Sequence, residues 1–122
     1  MDRKDYILVV EADDLMRQLL ERWLEEAGYV VVAAGAMPAP AGSDAPCLMI
    51  INVASPRGAQ SLIESVQAVY AAPIVIVSGR FRRGLARSAE AAHRLGVEKV
   101  LPKPFTRQEL LSAVQEALET VE

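Results

Sequence analysis

Four short apolar runs, each continuous rather than alternating, together with a fifth strand-sized segment, constrain this chain more than any other feature. The runs are Tyr6–Val10, Tyr29–Ala33, Cys47–Ile51 and Ile74–Val77, and the fifth segment is Val97–Leu101, where Glu98 and Lys99 interrupt the apolar residues. A strand that meets water on one face alternates apolar and polar residues, whereas a run apolar at every position belongs to a strand covered on both faces. Longer stretches with helical periodicity separate most of the runs. Strand–helix alternation of this kind predicts right-handed crossovers and a parallel sheet with helices on both sides.

The helical stretches carry their own punctuation. Asp13 and Asp14 supply an N-cap and a first-turn carboxylate. Leu15, Leu19, Trp23 and Ala27 follow at helical spacing, Leu20 and Leu24 widen the stripe, and Gly28 is a natural terminator. Between Gly35 and Pro46 the prolines at 38, 40 and 46, with Gly42 and Ser43, argue against a regular helix, since an interior proline costs about 3 kcal/mol. The second helix of the pattern is therefore expected to be short or absent. A helix over Gln60–Tyr70 would bury Leu62, Ile63, Val66 and Val69. Another reaches about Leu95 and stops at Gly96. Thr106-Arg107-Gln108-Glu109 is a capping box that starts a last helix burying Leu110, Val114 and Leu118.

The 122 residues suit one domain, residues 1–122, and 52% hydrophobic content supports a packed core. A net charge of −3 argues against a dedicated nucleic-acid binder. The longest apolar runs are strand-sized, so no membrane span is expected. The charged start Met1-Asp2-Arg3-Lys4-Asp5 does not read as a signal peptide. The single cysteine, Cys47, fits a reducing cytoplasm, and with one histidine a structural zinc site is not expected.

In a doubly wound sheet the ligand site lies at the carboxyl ends of the strands. The residues just beyond the runs are Glu11-Ala12-Asp13-Asp14, Asn52, Ser78-Gly79 and Lys103. Four segments at these junctions, Ile7-Leu8-Val9-Val10-Glu11, Met49-Ile50-Ile51-Asn52 with Pro56 beyond it, Pro73 through Gly79, and Leu101-Pro102-Lys103-Pro104-Phe105, together resemble the receiver domains of bacterial two-component response regulators. The resemblance covers nearly the whole chain. It implies a flavodoxin-like α/β fold with five parallel strands in the order 2-1-3-4-5. It also implies a role in phosphorelay signalling. In that family two acidic residues after the first strand and an aspartate ending the third gather magnesium, and that aspartate accepts a phosphoryl group from a histidine kinase. A hydroxyl after the fourth strand and a lysine after the fifth bind the phosphoryl oxygens.

Matched position by position, the resemblance places Glu11 at the first acidic position, Ala12 at the second and Asn52 at the phosphoacceptor. Ser78 and Lys103 match the switch hydroxyl and the lysine, and Val100 stands where many members carry an aromatic. Ala54 would lend the metal site only a carbonyl, and the Lys103–Pro104 bond is commonly cis in the family.

An amide is a poor nucleophile toward phosphorus and brings no charge to a metal. One carboxylate of three remains, so magnesium binding is expected to be lost or very weak and no other cofactor is implied. Glu11 and Lys103 are expected to pair in a near-neutral pocket, with Asp13 either completing a residual acidic cluster or capping its helix. The expected function is that of an atypical receiver, not an enzyme, that works by protein–protein interaction in the cytoplasm without aspartyl phosphorylation. Its partner would be a histidine kinase, an effector, another regulator or a second copy, bound through the face that the fourth helix, fifth strand and fifth helix form in the family.

Two alternatives stay open. Asn52 could replace an aspartate in an ordinary phosphorylation switch, although Ala12 breaks the same site and would need a second change. Alternatively Arg80, Arg82 and Arg83, with Arg87 and Phe81 nearby, could make an anion or partner contact beside the pocket. An enzyme of flavodoxin-like fold is disfavoured, because no nucleophile–base pair or glycine-rich phosphate loop is visible. His93 reads as a helix-face residue, Trp23 as packing and Cys47 as a small buried group.

Overall fold

The computed structural model describes residues 6–35, 46–53, 56–70, 72–78, 90, 92–94 and 96–119. Its elements are β1 (Tyr6–Val10), α1 (Asp14–Glu26), β2 (Val30–Ala34), β3 (Leu48–Asn52), α2 (Pro56–Val69), β4 (Ile74–Ser78), β5 (Lys99–Pro102) and α3 (Arg107–Glu119). The strands form one parallel sheet in the order β2-β1-β3-β4-β5. The expectation of a short or absent helix after β2, made for the stretch from Gly35 to Pro46, rests on residues 36–45, which lie outside those described.

Side-chain alternation along the three central strands divides the core in two. Ile7, Val9, Leu48, Ile50, Val75 and Val77 point to one face and are buried with Leu20 and Leu24 of α1 and Leu110, Ala113, Val114 and Ala117 of α3. Leu8, Val10, Met49, Ile51, Ile74, Ile76 and Val100 point to the other, with Ile63 and Val66 of α2 and with Ala92. Burial on both faces explains why β1, β3 and β4 read as continuous apolar runs. The edge strands bury less of themselves: β2 leaves Val30 and Val32 well exposed, and β5 alternates.

Boundaries moved in several places. β2 and β3 each begin and end one residue later than their apolar runs, because the carboxyl-end residues Ala34 and Asn52 still pair with neighbours. α2 starts at Pro56 rather than Gln60, as the fixed φ of proline suits a first helical position, whose N–H has no intrahelical partner.

The stripe on α1 also differs. Leu15 is 78% exposed and Ala27 is exposed, while Leu20 and Leu24 are buried and Met16 and Trp23 pack beside them. Two overlapping apolar rows were available, and the helix buries the row one position round. On α3, Leu118 is half-buried and the small Ala113 and Ala117 take the close-approach positions instead. Cys47 is likewise half-buried rather than fully buried.

Helix ends follow their chemistry. Asp13 Oδ2 accepts from Met16 N at 2.8 Å. Gly28 has φ +99°, and Gly28 N and Tyr29 N donate to Glu25 O and Leu24 O, a Schellman end to α1. At α3, Glu109 N donates to Thr106 Oγ1 at 3.0 Å and Thr106 N to Glu109 Oε1 at 2.9 Å, the reciprocal pair expected of the capping box. Thr106→Ala should therefore lower the unfolding free energy by roughly 1 kcal/mol in urea titration. Unchanged stability would mean that water satisfies these donors equally well.

Candidate functional site

The carboxyl ends of β1, β3, β4 and β5 converge on one edge of the sheet. Glu11 follows β1, and its N–H extends the β1–β2 ladder by donating to Ala34 O at 2.9 Å. With its backbone so fixed, the Glu11 carboxylate is held inward and is 2% exposed. Oε1 accepts from Lys103 Nζ at 3.3 Å, and Oε2 accepts from Asp13 N at 3.1 Å. Both oxygens are thus engaged by the chain itself.

Asn52 ends β3, is half-buried, and pairs in register with Val77 of β4, while the preceding Ile51 pairs with Val10 of β1. It therefore sits at the same edge as Glu11. Ser78 ends β4 and is fully buried, and its carbonyl accepts from Lys103 N at 2.8 Å. That bond starts the loop carrying Lys103, whose peptide bond to Pro104 is cis. Phe105 then meets Trp23 of α1 edge-on, with ring centroids 6.5 Å apart.

The Lys103–Glu11 contact is the one expected from charge balance. The lysine side chain is 24% exposed and the carboxylate 2%, so water screens the pair less than it screens a surface ion pair. Glu11 and Lys103 cancel, and Asn52 and Ser78 are neutral, which leaves the pocket close to neutral.

Other site residues fall as follows. Ala12 is exposed and offers no side-chain donor. Asp13 corrects the idea of an acidic cluster: its carboxylate turns to Met16 N as the N-cap of α1, and only its N–H reaches Glu11. Helix N-termini leave donors unpaired, and a short carboxylate at the cap satisfies them. Val100 is buried on the α2 side of the sheet. His93 is exposed near the end of its helix, and its carbonyl accepts from Gly96 N. Arg80, Arg82, Arg83, Arg87, Phe81 and Ala54 lie outside the described residues.

One residue of the site was missed. Arg17 of α1 reaches back over the β1–α1 loop, with Nη1 donating to Glu11 O at 3.0 Å and Nη2 lying 2.5 Å from Asp14 Oδ1. A cation near a helix N-terminus opposes the helix dipole, and that mismatch was the available signal.

No protein-family profile and no curated protein sequence matches the chain. Solved structures do. The architecture is that of response-regulator receiver domains, flavodoxin-like with strand order 2-1-3-4-5. A pilus assembly-related protein from Burkholderia pseudomallei superposes with a TM-score of 0.75 at 24% identity, covering 98% of this chain and 92% of that one. A LuxR-family DNA-binding response regulator from Silicibacter pomeroyi gives 0.68 at 24% identity, over 95% and 93%. A response regulator from Thermotoga maritima gives 0.70 at 16% identity, over 94% and 98%. Among the described residues no helix is long and apolar enough to cross a membrane.

Proposed function

We propose that this chain is a receiver module of two-component signalling that acts through protein–protein contact and is not switched by aspartyl phosphorylation. The observation that carries the reading is the pocket's donor set. The phosphoacceptor position is an amide, Asn52, the second acidic position is Ala12, and the one remaining carboxylate, Glu11, is committed to Lys103 and to Asp13 N.

Phosphoryl transfer needs a nucleophile in line with phosphorus and positive charge on the equatorial oxygens. Asn52 supplies no such nucleophile. Magnesium demands near-octahedral oxygen ligation and is usually held by carboxylates and waters. Glu11 alone, facing a lysine, does not meet that demand, so the module works without the ion in this reading. It is a binding protein rather than an enzyme. Its contact surface is the face built by β5 and α3, where Lys99 and Glu116 form an ion pair across the two elements. The partner there is a kinase, an effector, another regulator or a second copy.

Incubation with acetyl phosphate and magnesium, followed by intact-mass measurement and peptide mapping, tests this. No phosphoryl adduct is expected on residues of the pocket. A labile adduct mapped to the peptide containing Asn52, or to Glu11, would refute the proposal.

A further inference from the structure

The junction of β1 and α1 crowds three carboxylates, Glu11, Asp13 and Asp14, into four residues. In a metal-dependent pocket a divalent ion would offset such a charge. Here Lys103 reaches only Glu11, and Asp13 is spent on capping α1. Among the described residues the other positive group at the β1–α1 loop is the Arg17 guanidinium, 23% exposed by side chain. Its Nη1 donates to the Glu11 carbonyl at 3.0 Å and makes a longer 3.5 Å contact with the Ala12 carbonyl, while Nη2 pairs with Asp14. The same Nη1 lies beside Gly35, just past β2. One planar fork therefore ties the chain just past β1 to the first turn of α1.

We propose that Arg17 is the internal cation that sets this loop: by gathering the main-chain oxygens of Glu11 and Ala12 with the Asp14 carboxylate, it holds the Glu11 side chain within reach of Lys103. Arg17 is thus a positioning residue for the Glu11–Lys103 pair and touches neither charged group of that pair. The geometry favours arginine over lysine, because a guanidinium presents several donors in one rigid plane and an ammonium does not. The proposal deepens the reading of a metal-independent pocket and rests on it.

Amine labelling under limiting reagent, read by peptide mass spectrometry, tests it, because Lys103 reacts in proportion to its freedom from Glu11. In Arg17→Met the labelling of Lys103 should rise several-fold, with Lys99, paired to Glu116 on β5, unchanged as the internal control. Arg17→Lys should fall between the two. Equal Lys103 labelling in the parent and in folded Arg17→Met overturns the proposal, and so does a parallel rise at Lys99, which would report general loosening. Should Arg17→Met fail to fold, Arg17→Lys decides alone: Lys103 labelling at the parental rate overturns the proposal. A phosphoryl adduct in the acetyl phosphate experiment would instead defeat the functional reading, so the two failures are distinguishable.

Discussion

Replacing Asn52 and Ala12 with aspartate together should give a chain that takes up phosphate from acetyl phosphate in a magnesium-dependent way. The double change restores a carboxylate nucleophile at the end of β3 and a second acidic group after β1, beside Glu11. Three carboxylates around one lysine repel one another, and a divalent ion then becomes the favoured answer to that repulsion. Ser78 and Lys103, joined by the bond from Lys103 N to Ser78 O, stand at the positions to which the receiver resemblance assigns phosphoryl binding.

Asn52→Asp alone should react at least about 100-fold more slowly than the double variant, the scale on which losing a charge-stabilising group in a preorganised site slows catalysis. Initial rates with and without magnesium measure both. No uptake by the double variant would show that more of the pocket has been lost than two carboxylates. Equal rates for the single and double variants would instead favour an ordinary switch in which Asn52 alone departs from the competent sequence.

The second large effect concerns stability. Lys103→Met leaves the Glu11 carboxylate, 2% exposed, with only the Asp13 N–H as a described partner. Removing one member of a buried pair costs roughly 3–5 kcal/mol, and because Lys103 is 24% exposed the loss here should be about 2–4 kcal/mol. That corresponds to a fall of roughly 10 °C in Tm for a domain of this size. Adding Glu11→Gln to Lys103→Met should recover most of the loss, since the uncompensated charge is then gone. The coupling is read from the double-mutant cycle by urea denaturation. If Lys103→Met stays within about 0.5 kcal/mol of the parent, the pair contributes no more than an exposed surface contact would.

How far the sequence reveals all this varies by residue. β1, β3 and β4 are legible because burial on two faces removes every polar residue from Ile7–Val10, Met49–Ile51 and Ile74–Val77. The capping box at Thr106 and Glu109 and the turn at Gly28 are legible because local chemistry alone determines them. Which row of α1 meets the sheet is not legible. Leu15 and Leu20 are equally apolar, and only the packing against α3 and β1 decides between them.

At the site, Glu11 and Lys103 are legible as a pair because the strand order brings their junctions together and their charges oppose. Arg17 is legible only as a cation misplaced near a helix N-terminus, because its bonds to main-chain oxygens leave no trace in the identities of Glu11 and Ala12. Asp13 could be read two ways, as ligand or as cap, and the first turn of α1 settles it.

Trp23 has a use beyond packing. It is the only tryptophan in the chain, and it sits half-buried against Phe105, two residues past Lys103. Excited at the long-wavelength edge, where the three tyrosines barely absorb, the protein's emission therefore comes from one indole next to the Lys103 loop. Anything that displaces that loop, whether a docking partner or a broken contact with Glu11, should change the colour or intensity of that emission without any attached dye. The molecule carries its own optical gauge of the pocket.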